Sequence, residues 1–345
     1  MICTEYEELV GKRLLHDIQD SRGVMLIPVD TVLNAAHAKK LEQFNISIFE
    51  IHVEALHDEV AAQTAAPDSG AWVKRTETKL KEIEDFIHKN GKVPVEDVQE
   101  HVLPAIMAAT QQRNIYKLFG ELKAEGDYRY NHSIGVAMIA ATIGRWLGLD
   151  ANEMNLLTTG ASLCDIGTVK LPSELVQKKA ALQPHEHEIY KQHTVIGYDL
   201  LIESGFDRRI ALIALQHHEK CDGSGYPRQL KGHEIDPLSK IVALADMYLA
   251  MTSDRPHRPA LPFYQVIHNL YEDIRLGRLD SHVGLTFLNR LMSAQVGSQV
   301  LLEDGRRGTI MLTNPNYPTR PLISVGDTFL DLAKSPDVRM KEIIG

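Results

Sequence analysis

From Trp72 to about Ala294 apolar residues recur at helical spacing almost without interruption, which confines the middle of the chain to an all-α domain. Leu80, Ile83 and Ile87 hold that spacing until Asn90-Gly91 stops it, and Pro94 opens the next segment. Further helices are predicted over 95–109, 112–124, 128–148, 152–163, 185–204, 207–219, 238–252, 262–275 and 281–293. No internal repeat is present, so a solenoid is not supported.

The flanks follow a different period. Strand-like alternation around Leu14 to Ile18 and Val24 to Ile27, joined by Asp20-Ser21-Arg22-Gly23, reads as a hairpin. A short helix from Asn34 to Phe44 and a β-branched run from Ile46 to Val53 complete a small α/β unit over 1–56. Residues 57–71, ending in Ala65-Ala66-Pro67-Asp68-Ser69-Gly70-Ala71, lack periodicity and read as a linker into a helical domain over 72–295. Over 296–345, Val296 to Leu302, Gly308 to Leu312 and Pro321 to Val325 are strand candidates of a small β appendage. The expected fold class is mainly α, with a small N-terminal α/β unit and a short C-terminal β appendage.

Composition works by exclusion. Basic residues number 37 against 46 acidic ones, a net charge of −9, which argues against binding a nucleic-acid polymer but leaves room for a local basic pocket for a small anion. The longest apolar run, Ser133 to Gly144, is interrupted at Arg145 before it reaches the ~18 residues of a membrane span. Glu5, Glu7 and Glu8 stand where a secretory leader would carry basic residues. Three cysteines, Cys3, Cys164 and Cys221, suit a reducing compartment, and the expected location is the cytoplasm.

Histidine is the compositional outlier, at 16 residues. Seven metal-ligand types sit in apolar or glycine-rich surroundings: His132, Cys164, Asp165, His193, His217, His218 and Asp246. Asp246 lies within Ile241-Val242-Ala243-Leu244-Ala245-Asp246-Met247, where an unpaired carboxylate would cost several kcal/mol, so it needs a partner or a cation. Asp165, before Gly167, poses the same problem. An isolated histidine is more often a satisfied core or surface residue, and His16, His37, His52, His57, His185 and His187 are read as solvated. Adjacent His217 and His218 are different, because neighbours about 100° apart can address two metals. In the loop that follows, Gly223 and Gly225 permit close backbone approach, Tyr226 offers a ring and a hydroxyl, and Pro227 stiffens the exit.

Taken together, Tyr128-Arg129-Tyr130-Asn131-His132, Cys164-Asp165-Ile166-Gly167, His193 with Gly197, His217-His218-Glu219, Asp222-Gly223-Ser224-Gly225-Tyr226-Pro227, Asp246 and Thr252-Ser253-Asp254-Arg255-Pro256 resemble the HD-GYP family in order and spacing over residues 113–291. That resemblance implies a helical, metal-dependent phosphodiesterase that opens cyclic di-GMP to the linear dinucleotide or GMP. It implies two divalent ions, iron, manganese or zinc: one held by His132, residue 164, Asp165 and Asp246, the other by Asp165, His193, His217 and His218. Asp165 would bridge them and hold the nucleophilic water. Gly223, Gly225, Tyr226 and Pro227 would shape the substrate pocket, with Arg255 and Arg258 facing the phosphates. Flanking modules of such proteins commonly serve regulation or dimerisation, so a homodimer or a signalling protein is the implied partner.

Two departures touch the centre. The family's His-Asp pair is Cys164-Asp165 here, and a thiolate is softer and more easily oxidised than imidazole, so the first metal site is weakened. The lysine expected after Ile166-Gly167 is Thr168, with Lys170 the nearest cation in sequence. Lesser departures are Leu249, Thr194 and His257, and Tyr128 in place of glutamate argues against a third metal. Two readings follow: a phosphodiesterase that tolerates Cys164, or a non-hydrolytic receptor or interaction module that keeps the fold.

Overall fold

The computed structural model describes residues 6–19, 25–27, 29, 31–54, 69–110, 128–254, 259–326 and 328–344. The chain divides into one unit of residues 66–261 and 272–284 and another of residues 1–65, 262–271 and 285–345.

In the first unit the leading helix Ser69–Asn90 buries Trp72, Val73, Thr76, Leu80, Ile83 and Ile87, a stripe at three- and four-residue spacing. The predicted helix over 95–109 is present but not uniform: a π segment, Val98–Val102, separates Val95–Asp97 from Leu103–Thr110. Tyr128–Trp146 is buried around most of its circumference, with Ile134, Val136, Met138, Ile139 and Ile143 fully enclosed, and is the centre of the unit. Ala137, Ala140 and Ala141 keep its surface thin where Ala151–Ser162 and Pro237–Thr252 pack on it. The predicted helix over 112–124 lies outside the described residues.

Two departures from periodicity serve the centre described below. The helix expected over 185–204 is interrupted at Gln192, giving Pro184–Lys191 and His193–Glu203. The cause is local: the His193 ring and the Thr194 hydroxyl bond the carbonyls of Tyr190 (2.6 Å) and Lys191 (2.9 Å), and side chains inserted into the ladder displace the next turn. The helix expected over 207–219 runs only Arg208–Gln216, because the His217 ring takes the carbonyl of Ala214 (3.0 Å) that the next turn would have used.

The second unit holds both chain flanks. Ile18–Gln19 pairs antiparallel with Met25–Ile27, the hairpin read from the sequence, and Arg13–Leu14 pairs with Val53–Glu54. Leu14, Ile18, Ile27, Leu33 and Leu41 form the apolar centre of the N-terminal segment. The C-terminal segment is a five-stranded antiparallel sheet in the spatial order Thr328–Asp331, Leu322–Val325, Arg307–Leu312, Gln299–Leu302, Met340–Ile344, two strands more than the alternation indicated. Asn34 donates to the Val296 carbonyl (3.1 Å) and Arg290 to that of Val29 (2.8 Å), tying the N-terminal segment to the C-terminal one.

His37, expected to be solvated, is instead buried beside Lys40, and the helix Ala35–Gln43 places them one turn apart. The His37 backbone N–H donates to the Asn34 side chain (2.9 Å) while its ring accepts from the Asn34 N–H (3.2 Å), so the ring is spent on a capping box. Burial brings the Lys40 ammonium down to about 8, and among the described residues it donates to the Leu26 carbonyl. A folded state that holds this proton less tightly than the unfolded chain gains stability as pH rises from 8 towards 10.5 and loses it as pH falls through 8. Denaturant titrations across that range are expected to show a gain on the order of 2 kcal/mol, absent in Lys40→Met.

Candidate metal centre

The seven side chains singled out above come from five helices or their ends, all in the first unit. His132 lies early on Tyr128–Trp146, Cys164 and Asp165 just past Ala151–Ser162, His193 at the start of His193–Glu203, His217 and His218 past Arg208–Gln216, and Asp246 within Pro237–Thr252. Gly167 sets the closest approach among them. A Cβ there would stand 2.0 Å from the His193 carbonyl oxygen and 2.5 Å from the Gly197 nitrogen, so only glycine lets the Asp165 turn lie against the backbone that carries His193.

Four of the seven converge. The ligand atoms of Asp165, His193, His217 and His218 all lie within 4.8 Å of one another, and Asp165 Oδ1 is 3.3 Å from His193 Nε2 and 3.6 Å from His217 Nε2. Each of these two rings donates Nδ1–H to backbone carbonyls, His193 to Tyr190 (2.6 Å) and His217 to Ile213 (3.1 Å) and Ala214 (3.0 Å). In the neutral ring that leaves Nε2 as a lone pair, aimed inward. Both Nε2 atoms are buried without a hydrogen-bond partner, and a carboxylate and inward-facing imidazoles are the donor set a divalent cation takes.

The electrostatics agree. Burial raises the Asp165 carboxyl, but the facing rings of His193 and His217 prevail and hold it well below the ordinary range. Burial, then the neighbouring His217, push His218 well down, which keeps it neutral. Burial lowers His217, and the adjacent Asp165 carboxylate more than reverses it.

His132, Cys164 and Asp246 stand outside that group of four. His132 Nε2 bonds Asp246 Oδ1 at 2.7 Å, and Asp246 Oδ2 lies 3.6 Å from His218 Nδ1, so the buried acid foreseen in the apolar run has found its partners. Burial raises Asp246, while the His132 hydrogen bond and charge bring it down to about 2. Cys164 is enclosed, and burial, followed by the charges of Asp165 and Asp246, pushes its thiol well up, so it is a protonated thiol near neutral pH.

The loop after His218 is fastened by a residue to which the sequence reading gave no role. Glu219 is buried and accepts from the backbone N–H groups of Arg228 (2.7 Å) and Leu230 (3.0 Å). Gly225 is required by this packing, since a Cβ would meet Lys220 N at 2.3 Å, and Gly223 has φ +79°. The Tyr226 ring lies over His218 at 4.7 Å, with the Lys191 ammonium 5.4 Å from its centre. Burial, then Asp165, push its phenol up, so the hydroxyl keeps its proton. Pro227 follows in the same turn. Arg255 and Arg258 lie outside the described residues.

A cavity of about 440 Å³ opens beside the centre, with His132, Asp165, Thr168 and Tyr190 on its wall. Thr168 spends its hydroxyl on the Asp165 carbonyl (2.7 Å), and Lys170 is exposed and absent from the wall. Arg129, Lys178 and Lys179 do line it. Sequence periodicity missed these three; the only signal was the Lys178-Lys179 doublet shortly after Asp165.

An HD domain family model matches residues 101–283, just over half of the chain. The chain belongs to the HD domain family. Its Gly225-Tyr226-Pro227 loop, fastened behind His217 and His218, makes it a member of the HD-GYP branch. A cyclic di-GMP phosphodiesterase of Thermotoga maritima is 35% identical over 162 residues, covering 45% of this chain and 44% of that protein. The 3'3'-cGAMP-specific phosphodiesterase 1 of Vibrio cholerae is 33% identical over 161 residues, 46% of this chain and 37% of that protein. The chain thus spans less than half the length of these curated relatives. An HDG"Y"P protein from Bdellovibrio bacteriovorus has the same fold at a TM-score of 0.53 and 17% identity, over 84% of this chain and 98% of that one. No helix among the described residues is long and apolar enough to cross a membrane.

Proposed function

We propose that this chain hydrolyses a cyclic dinucleotide, cyclic di-GMP first, to its linear form at the Asp165 centre. The observation that carries the reading is the pair of buried, unpartnered Nε2 atoms of His193 and His217 facing Asp165 at the edge of a cavity. A divalent cation bound there would supply Lewis acidity, making a nucleophile of water near neutral pH and balancing charge on the phosphoryl oxygens. Asp165 orients that water, the neutral His218 and the Nε2 atoms of His193 and His217 complete the donor set, and the backbone carbonyls behind both rings fix their orientation. The Tyr226 ring borders the site at His218, Gly223, Gly225 and Pro227 are assigned with it to shaping the substrate pocket, and Arg255 and Arg258 are assigned to the phosphates.

A second ion, again iron, manganese or zinc, has only His132 and Asp246 as ordinary ligands besides Asp165, and the enclosed Cys164 thiol weakens that position. The relatives' names support a cyclic dinucleotide and divide between cyclic di-GMP and 3'3'-cGAMP. We place the reaction in the cytoplasm, and a homodimer or a signalling protein is the partner we assign to the flanking unit.

The test is product analysis with protein purified without oxygen and given Fe(II), Mn(II) or Zn(II) in turn. Metal-dependent linear dinucleotide is expected from cyclic di-GMP, and faster turnover of 3'3'-cGAMP would redirect the substrate assignment. Binding without product under every metal would overturn hydrolysis in favour of a receptor.

A further inference from the structure

The cavity beside Asp165 contains more positive charge than the sequence reading gave it. Besides Tyr130 and Tyr190, its charged or ionisable wall residues are Glu84, Arg129, His132, Asp165, Lys178 and Lys179. An anion entering would meet Asp165 on one side, so a counter-charge must come from the rest of the wall. The three cations are not equivalent. Lys178 is locked onto Glu186, with both carboxylate oxygens at 2.6 and 2.7 Å. Arg129 is 3.6 Å from Glu84 and its guanidinium lies over the Tyr130 ring at 5.1 Å, and that Glu84 also accepts the Tyr130 hydroxyl. Lys179 has no carboxylate within reach among the described residues, and its exposed side chain is free to turn into the opening.

Thr168 adds the second observation. It stands on the same wall, and its hydroxyl is already committed to the Asp165 carbonyl, so it offers the incoming anion no charge and no free proton. Lys170, the nearest cation along the chain, is exposed and absent from the wall.

We infer that Lys179 binds a phosphodiester oxygen of the substrate in this cavity, and so supplies from the cavity wall the positive charge that Thr168 lacks. The inference rests on the phosphodiesterase reading. Lysine is suited to the role as a mobile point charge with three donors, which reaches an anion without the fixed fork of arginine. It acts on binding more than on chemistry, because it lies on the wall and not among the four ligands.

The test compares wild type, Lys179→Ala, Lys179→Arg and the outside control Lys170→Ala, using cyclic di-GMP binding by calorimetry, kcat and KM, and metal content. For Lys179→Ala the Kd and KM are expected to rise roughly tenfold, the loss of one charge-assisted hydrogen bond, with kcat changed less than threefold and metal content unchanged. Lys179→Arg should recover most of the affinity, added salt should weaken wild type more than Lys179→Ala, and Lys170→Ala should match wild type. Unchanged affinity in Lys179→Ala, while Tyr226→Ala loses it, overturns the inference and leaves the function standing. Wild type that neither binds nor cleaves any cyclic dinucleotide overturns the function and the inference with it.

Discussion

Asp165→Ala is expected to lose divalent metal and to cut cyclic di-GMP turnover by on the order of 10³-fold or more, a barrier about 4 kcal/mol higher. Asp165 is the only carboxylate among the four convergent ligands, and one of its oxygens faces both His193 Nε2 and His217 Nε2. Without it the histidines remain, but three neutral imidazoles provide no charge to hold a dication or to orient water. The same change removes the cause that raises His217, whose proton should then be lost at lower pH. Asp165→Asn keeps the shape and one acceptor, so it should fall between the two. Metal content by elemental analysis, with circular dichroism to show that the helices persist, separates loss of the ion from loss of the fold. Full metal content and turnover in Asp165→Ala would place the chemistry elsewhere.

The parts of this centre that were legible in the sequence are those where a charged or polar group contradicts its surroundings. Asp246 stands in an apolar helix, and such a carboxylate must find a partner; it has His132 at 2.7 Å. The turn at Asp165 was marked by Gly167, and the need for glycine is the 2.0 Å approach to the His193 carbonyl. Helices were legible wherever one face is buried, as in Ser69–Asn90. The break at Gln192 was not, because it is made by the His193 ring and the Thr194 hydroxyl bonding backward to carbonyls, a competition that apolar spacing does not record.

Long-range pairing was equally silent. Thr328–Asp331 is an edge strand that leaves Phe329 63% exposed, and Met340–Ile344 pairs with Gln299–Leu302 across some forty residues, so neither carries the alternation of a half-buried strand. The hydrogen bond from Asn34 to Val296 joins residues 262 positions apart, which no local pattern can announce. His37 shows the converse error. Its polar neighbours suggested solvent, but the ring is used by the capping box and is buried.

Cys164→His is expected to raise metal loading by about one equivalent per chain, and Cys164→Ala to leave it unchanged. The thiol lies outside the group of four, is enclosed, and is pushed up by burial and by the charges of Asp165 and Asp246, so at neutral pH it offers a proton where a ligand must offer a lone pair. His132 and Asp246 meanwhile bond each other at 2.7 Å. An imidazole at 164 would give the pair a third donor beside Asp165, enough for a second ion. Its ring is larger than the thiol in a closed site, so Cys164→His should also cost stability, on the order of 1–3 kcal/mol. Cys164→Ala carries no such burden and decides whether the thiol binds metal at all. If metal content drops in Cys164→Ala, the thiolate is a working ligand and the first site is occupied as it stands. If content holds in Cys164→Ala and rises in Cys164→His together with turnover, the wild-type centre works on the Asp165, His193, His217 and His218 ion, and the cysteine sets the limit on its rate.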